Sequence, residues 1–183
     1  MLKSTCASGF QIVERILTLH GMQRDARQPR EVKIREIVES DRHDWARLRG
    51  ALWPGSLSDH DVETRNYFKT LPNTSIVFVA EADGTLVGFL ELDYRKYAPG
   101  CSSSPVPFIE GWYVEPMLQR HGIGRALVEA AEARARAAGH HEIASDAELE
   151  NTDGIAAHVA LGYKEVERVI CFRRSLHQAE RVF

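Results

Sequence analysis

A short glycine-containing segment constrains this chain more than any other feature. Residues 119–124 read Gln-Arg-His-Gly-Ile-Gly; they follow an apolar run at 108–114 and precede an alanine-rich helical pattern that extends to about Ala138. A turn that leads directly into a helix leaves backbone N–H groups unpaired at the positive end of the helix dipole. Gly122 lets the backbone bend beneath a ligand, and Gly124 lets the helix start close to the neighbouring strand. The segment predicts a pyrophosphate-binding turn. The alternative is a helix that merely begins with glycines.

The same segment excludes two common phosphate motifs and resembles a third. No Gly-Lys-Ser/Thr follows, and the spacing is not Gly-x-Gly-x-x-Gly. The pattern Gln/Arg-x-x-Gly-x-Gly resembles the acetyl-CoA signature of the GNAT superfamily of N-acetyltransferases, and the resemblance covers about residues 32–176. Further stretches resemble the aminoglycoside 6'-N-acetyltransferases of that superfamily: Ala-Leu-Trp-Pro-Gly at 51–55, Phe-Ile-Glu-Gly at 108–111, Ala-Ser-Asp at 144–146, Glu-Asn-Thr at 150–152, Ala-Leu-Gly-Tyr at 160–163 and Glu-Arg-Val-Ile at 167–170.

Length and composition predict one globular domain with a single core, since 44% of the 183 residues are hydrophobic. The formal net charge is −3, and no basic patch indicates a nucleic-acid partner. The three cysteines, Cys6, Cys101 and Cys171, are odd in number and widely spaced, which favours a reducing cytoplasm over a disulfide framework or a zinc site. Cys171 lies in an apolar strand pattern and is expected in the core.

The N-terminal region is predicted to be an extension, residues 1–31, before a catalytic domain at 32–176 and a tail at 177–183. Residues 10–19 are too short to span a membrane and contain charges, so neither a membrane anchor nor a targeting segment is expected. Their apolar positions follow helical spacing and predict an amphipathic helix. An alternative start at Met22 would make this region an upstream extension.

The periodicity of the remaining chain alternates between strands and helices, which predicts an α/β fold with a mixed, mainly antiparallel sheet flanked by helices. Asp83-Gly84 predicts a hairpin, and 94–107 a long loop. Strands are predicted at 33–37, 75–81, 85–91, 108–114, 142–146 and 166–174. Four helices are predicted: from Ser40 or Asp41 to about 52, from Ser58 or Asp59 to about 71, from the Gly-rich segment to about 138, and at 151–161. The resemblance implies the GNAT fold, with acetyl-CoA bound between two splayed strands.

The resemblance also implies a set of cofactor contacts. A β-bulge in the strand at 108–114 would free main-chain groups of Trp112 and Val114 to pair with the pantetheine arm. The pyrophosphate would lie on the Gly-rich turn: Gln119, Arg120, His121, Gly122, Ile123, Gly124 and Arg125. Asn151 either caps a helix or binds the pantetheine arm. No histidine, including His140 and His141, shows the spacing of a metal ligand, so no metal is expected.

Acetyl transfer to an amine requires removal of a proton from the amine and a proton for the departing thiolate. The resemblance places Glu110 opposite the acceptor amine. His158 lies four residues before Gly162, where many superfamily members carry a tyrosine that protonates the thiolate. Histidine is able to serve as that acid. The alternatives are an outward-facing Glu110 without a role and a His158 that only packs.

An acidic run at 140–153 contains no Lys or Arg, as expected for a surface that binds a polycation or simply for a solvated one. Asp146 follows an apolar strand, and the resemblance implies that it contacts substrate amines. Trp53 and Tyr97 are candidate walls for sugar rings. The resemblance implies an aminoglycoside 6'-N-acetyltransferase, and a homodimer is expected because such relatives are commonly dimers. The rival hypotheses are acetylation of polyamines or other small amines, and a non-catalytic acyl-CoA-binding module.

Overall fold

The computed structural model describes residues 15–17, 31–70 and 75–175. Six strands form one sheet in the order β1-β2-β3-β4-β5-β6. The strands are β1 (Arg15–Leu17), β2 (Val32–Glu36), β3 (Ile76–Ala82), β4 (Thr85–Arg95), β5 (Val106–Val114) and β6 (Ala144–Ser145), and the helices are α1 (Arg42–Leu52), α2 (Leu57–Lys69), α3 (Ile123–Ala137) and α4 (Thr152–Ala160). All neighbouring pairs are antiparallel except β5 with β6, which is parallel. The predicted mixed, mainly antiparallel α/β sheet is therefore confirmed.

Helices cover both faces of this sheet. On one face Leu127 of α3 packs into the cluster that contains Phe78 and Leu90. On the other face Leu48 of α1 packs into the cluster that contains Phe89. Because both faces are buried, the central strands are continuously apolar rather than alternating.

The hairpin between β3 and β4 has the turn that its sequence predicts. Asp83 and Gly84 have φ values of 50° and 80°, and Ala82 pairs directly with Thr85. Positive φ at both central residues matches a type I′ turn, whose twist suits the flanking strands.

The predicted β-bulge lies at Glu110. Glu91 of β4 pairs with Gly111, and the next β4 residue, Leu92, pairs with Ile109. Glu110 is therefore the extra residue on β5, and the strand bends at this point.

Beyond the bulge, β5 and β6 separate. β6 has only two residues, which pair with Phe108 and Ile109. The strand is therefore shorter than the predicted 142–146. Within 31–70 and 75–175, residues 110–114 of β5 have no strand partner on the β6 side. A crevice with main-chain groups on one wall therefore opens next to Glu110, as the splayed-strand prediction requires.

Several predicted boundaries are wrong. The cap of α2 is Ser56, whose Oγ accepts from the N–H of Asp59 at 3.2 Å, rather than Ser58 or Asp59, and the helix ends at Lys69. A serine must precede the first turn to reach its free N–H groups, and three nearby candidates made the assignment ambiguous. The loop is shorter than 94–107, because β4 runs to Arg95 and β5 begins at Val106.

The predicted last strand, 166–174, is also wrong. In the structure this segment has no regular secondary structure, and it is exposed, with Phe172 at 92% and Ile170 at 80%. Cys171, expected in the core, is exposed as well. An apolar pattern predicts that a segment is able to form a strand. The strand itself needs a neighbouring edge to satisfy its N–H and C=O groups.

The amphipathic helix predicted at 10–19 is contradicted at 15–17, which form β1. This strand pairs antiparallel with β2, with Arg15 opposite Ile34. Pairing satisfies main-chain groups of the β2 edge that a helix would leave open. The rest of 10–19 lies outside the described residues, as do Met22 and Cys6. No helix of the described chain is long and apolar enough to cross a membrane.

Candidate active site

The Gly-rich turn presents main-chain donors at the start of α3. Gly122 is the residue before the helix and has a φ of 86°, in the left-handed region that favours glycine. The first intrahelical bond runs from the N–H of Ala126 to the Gly122 carbonyl at 3.0 Å. The N–H groups of Ile123, Gly124 and Arg125 precede that bond and lie at the positive end of the helix. The geometry suits an anion, and a Cβ at Gly122 would meet no described atom within 4 Å.

Gly124 is required by packing against β5. A Cβ at this position would lie 2.8 Å from the ring of Trp112. The absence of a side chain therefore lets the N-terminus of α3 approach the strand, as predicted.

The side chains around the turn bind protein groups in this structure. Gln119 donates from Nε2 to the carbonyl of Val114, the last residue of β5, at 3.0 Å. Arg125 donates to the Ala160 carbonyl at the end of α4 at 3.2 Å. Arg120 is exposed and lies 3.9 Å from Asp153, while His121 is half-buried. Main-chain groups of the turn are thus better placed for an anion than the Gln119 and Arg125 side chains.

Asn151 caps α4. Its Oδ1 accepts from the N–H of Gly154 at 2.9 Å. The capping alternative is therefore confirmed, while a pantetheine contact stays a prediction.

On the acceptor side, Arg95 brings together two carboxylates that are distant in sequence. Its Nε and Nη2 donate to the two carboxylate oxygens of Glu110 at 2.7 and 2.5 Å. Its Nη1 lies 3.5 Å from Asp146, and its guanidinium lies 3.4 Å from the ring centroid of Phe108. The hydrogen bond to Glu110 raises the pKa of Arg95, so the guanidinium remains charged. Glu110 and Asp146 thus flank one resident cation.

A cavity of about 140 Å³ adjoins Glu110 on the side of α2 and β4. Four of its lining residues are carboxylates: Glu63, Glu91, Asp93 and Glu110. Burial raises the pKa of Glu91, and this rise is opposed by Arg49, which is hydrogen-bonded to it. The cavity is smaller than typical small-molecule pockets, which are about 300–1,000 Å³. Arg49 also lines it and forms ion pairs with two of its carboxylates, Glu63 and Glu91.

Trp53 and Tyr97 occupy different environments. Trp53 packs on the main chain next to the bulge, because a Cβ at Gly111 would lie 2.3 Å from its ring. It also contacts Phe89 edge-on, with ring centroids 6.0 Å apart. Tyr97 is 69% exposed in the loop between β4 and β5. Trp53 is therefore a partly buried residue that packs against the core and borders the bulge, and Tyr97 is accessible to a ligand.

His158 is tied to both sides of the crevice. Its Nδ1 lies 2.7 Å from the Gly154 carbonyl, and its Nε2 lies 3.0 Å from Oγ of Ser145 in β6. The rings of Trp112 and Tyr163 approach it edge-on, each with centroids 5.5 Å away. The imidazole is thus packed and hydrogen-bonded at once, so the two alternatives for His158 are compatible.

Most carboxylates of the acidic run at 140–153 lie away from Arg95 and Glu110. Glu142 accepts hydrogen bonds from the main-chain N–H groups of Ser102 and Ser103, which holds the loop against the start of β6. Glu148 and Glu150 are exposed. Asp146 is the member of this run that contacts the acceptor side.

Sequence reasoning missed Arg95, Ser145 and three carboxylates of the cavity, Glu63, Glu91 and Asp93. One signal was available: Glu91, Asp93 and Arg95 stand at alternate positions of β4, where side chains share a face. Glu63 comes from α2, and only packing brings it to this face. Residues 31–70 and 75–175 contain no group of three or more His, Cys, Asp or Glu that could hold a metal ion.

Comparisons with known proteins agree with this geometry. The acetyltransferase (GNAT) family matches residues 41–163. An aminoglycoside N(6')-acetyltransferase type 1 from Klebsiella aerogenes is 40% identical over 146 residues, covering 78% of this chain and 96% of that protein. One from Stenotrophomonas maltophilia is 42% identical over 144 residues, covering 78% and 93%.

Solved structures give the same result. AAC(6')-Iy in complex with the bisubstrate analogue CoA-S-monomethyl-acetylneamine has a TM-score of 0.72 at 35% identity, covering 79% of this chain and 98% of that one. AAC(6')-Ih from Acinetobacter baumannii has a TM-score of 0.73 at 36% identity, covering 80% and 99%. The chain belongs to the acetyltransferase (GNAT) family. The resemblance to aminoglycoside 6'-N-acetyltransferases is confirmed by the relatives at this identity.

Proposed function

We propose that this protein transfers an acetyl group directly from acetyl-CoA to the 6'-amine of aminoglycosides. One observation carries the proposal: the glycine-led start of α3 at Gly122 follows β5, and the carboxylates Glu110 and Asp146 share Arg95 where β5 and β6 separate. The first suits the pyrophosphate of coenzyme A. The second suits a substrate with several ammonium groups.

The reacting groups meet at the bulge. The pantetheine arm pairs with main-chain groups of Trp112 and Val114, where it takes the place of Gln119 Nε2 at the Val114 carbonyl, and this pairing directs the thioester toward Glu110. The incoming ammonium first gives a proton to Glu110, directly or through water, and Glu110 passes it to solvent. The neutral amine nitrogen then attacks the acetyl carbon, the C–S bond breaks, and the second proton that the nitrogen loses goes to Glu110 by the same route. Both Glu110 oxygens accept from Arg95 in this structure, so an incoming ammonium replaces or shares one of these bonds.

Five carboxylates against two arginines, Arg49 and Arg95, favour a polycationic acceptor. Glu63, Glu91 and Asp93 line the cavity beside Glu110, and Asp146 lies on the opposite side of Arg95. Opposite charges at several points give an extended polyamine-like substrate both affinity and orientation. Trp53 borders the bulge and Tyr97 is exposed in the loop between β4 and β5, and we assign both to contacts with sugar rings. A non-catalytic acyl-CoA-binding module would have no need of this acidic side.

Acetylation of polyamines is the rival hypothesis, since it also requires carboxylates. The decisive experiment measures thiol release from acetyl-CoA with matched panels of aminoglycosides, polyamines and lysine peptides, followed by location of the acetyl group by NMR. We expect kcat/KM to be highest for aminoglycosides with a free 6'-amine and lost when that position carries a hydroxyl. Equal activity with spermidine would contradict the proposed substrate, and no thiol release with any amine would contradict the enzyme.

The proposal assigns Asp146 to acceptor binding. Asp146→Asn keeps the size of the side chain but removes a charge-assisted contact, which is typically worth about 1.5–3 kcal/mol. We expect KM for the aminoglycoside to rise by about one to two orders of magnitude, with acetyl-CoA affinity unchanged. Steady-state kinetics and calorimetry measure the two effects.

Glu148→Gln provides a matched control, since Glu148 is an exposed carboxylate two residues farther along the same segment. It should leave KM unchanged. An equal effect of the two substitutions would assign the loss to general electrostatics rather than to a contact of Asp146.

The proposed assembly is a homodimer in which the segment 166–172 packs on a second copy of the chain. Val166, Val169, Ile170 and Phe172 are each more than half exposed, which is unusual for so many large apolar residues in a short segment. A second copy would bury them and supply strand partners to a segment with a strand-like sequence. No nucleic-acid or membrane partner and a cytoplasmic location remain predictions.

Phe172→Asp should shift the protein from dimer to monomer, because a buried charge opposes association. Sedimentation velocity over a concentration series measures the change. Val62→Asp, which places a charge on a half-exposed valine of α2, is the control and should leave the dimer intact. A wild-type protein that sediments as a monomer at all concentrations would contradict the assembly.

A further inference from the structure

The hydrogen bonds of His158 assign its tautomer. A carbonyl oxygen only accepts, so Nδ1, 2.7 Å from the Gly154 carbonyl, carries a hydrogen. Nε2 is then the nitrogen that faces Ser145 Oγ at 3.0 Å. The edges of Trp112 and Tyr163 pack against the ring and hold it in this orientation.

Ser145 lies at the point where the crevice begins. It is the last residue of β6, pairs with Ile109, and has its Oγ 3.4 Å from the Ile109 carbonyl. The next residue of β5 is the bulged Glu110. The Ser145 hydroxyl is therefore next to the site where β5 and β6 separate, and it lies between that site and the imidazole of His158.

We propose that the Ser145 hydroxyl protonates the departing thiolate of coenzyme A, and that His158 acts through Ser145 as a positioning and proton-supplying residue. This inference rests on the proposed function. It names a serine as the terminal donor, in place of direct protonation by His158, because the imidazole is hydrogen-bonded to Ser145 and packed by two aromatic rings.

Two proton transfers accompany the cleavage of the C–S bond. As the C–S bond breaks, its electron pair remains on sulfur, which takes the hydrogen of the Ser145 hydroxyl. Ser145 Oγ takes a hydrogen from Nε2 of doubly protonated His158, leaving neutral His158 with its hydrogen on Nδ1. His158 then regains a proton from solvent, and the proton that the amine lost to Glu110 is released to solvent.

The protonation state of His158 sets the direction of the Ser145 hydroxyl. Neutral His158 accepts at Nε2, so the Ser145 hydrogen points to the ring. With a second hydrogen on Nε2, His158 donates to Ser145 instead, and the serine hydrogen is free to point to sulfur.

The first test compares Ser145→Ala with Ser145→Thr in the full chain. A thiolate departs tolerably without help, so the effect is expected at or below the low end of general acid catalysis. We expect kcat to fall by about tenfold in Ser145→Ala, with both KM values and the melting temperature unchanged. Ser145→Thr keeps the hydroxyl and should retain most of kcat. A loss below about twofold in Ser145→Ala would overturn the inference, as would an equal loss in Ser145→Thr at unchanged acetyl-CoA affinity.

A double-mutant cycle with His158→Gln tests whether the two residues act as one unit. In a relay, the double variant loses no more kcat than Ser145→Ala alone, since His158 has no route to sulfur without the serine. Losses that multiply would overturn the relay. The activity of the wild-type protein distinguishes the proposed function from the role of Ser145. An inactive wild type rejects the proposed function, whereas an active wild type with an unaffected Ser145→Ala rejects only the role of Ser145.

Discussion

Gly122→Val should reduce acetyl-CoA affinity by about two orders of magnitude or more while the protein remains folded. Gly122 directly precedes the N–H groups of Ile123, Gly124 and Arg125 in the first turn of α3. A valine side chain at Gly122 would occupy space that is open in this structure. Two lost hydrogen bonds to a charged phosphate, at about 1.5–3 kcal/mol each, account for a loss of this size. Isothermal titration calorimetry with acetyl-CoA measures it.

Gly139→Val is the matched control for backbone strain. Gly139 follows the other end of α3, has a φ of 88°, and likewise meets no described atom within 4 Å of a built Cβ. Both substitutions force a β-branched residue into the left-handed region and should lower the melting temperature alike. Only Gly122→Val should lose acetyl-CoA. Unchanged affinity in a folded Gly122→Val would reject the turn as the pyrophosphate site.

Glu110→Gln should lower kcat by about two orders of magnitude or more, if the carboxylate receives the amine proton. Glutamine keeps the size of the side chain and its reach into the bulge, but it cannot act as the base. Acetyl-CoA affinity should be unchanged, because the pyrophosphate turn is separate. Single-turnover acetylation of an aminoglycoside measures the chemical step without product release.

Two variants separate this role from the loss of an ion pair. Glu115→Gln breaks a similar pair at the end of β5, where Glu115 lies 2.6 Å from Arg47 and is 33% exposed, against 31% for Glu110. It should leave kcat unchanged. Arg95→Gln removes the partner of Glu110 but keeps the carboxylate, and should retain far more activity than Glu110→Gln. Equal losses in Glu110→Gln and Arg95→Gln would show that the pair, rather than a base, matters.

Local patterns predicted the elements that depend on neighbouring residues. The positive-φ hairpin at Asp83-Gly84, the glycine-led start of α3 and the Asn151 cap each follow from short-range geometry, and the structure contains all three. The bulge at Glu110 was predicted through the family resemblance, since periodicity alone does not locate an extra residue. The last strand at 166–174 failed because strand formation depends on a partner edge that the segment itself does not encode.

The sequence by itself determined the class of fold, the glycine-led start of α3 proposed to bind the cofactor, and the family, because those depend on periodicity and on a contiguous motif. Only the tertiary structure decided which carboxylates lie together. Arg95 joins Glu110 to Asp146, and Glu63 reaches the same region from α2. It also decided that His158 faces Ser145. These contacts join residues that are far apart in the chain, and the packing of β4, β5, β6 and the helices sets their distances.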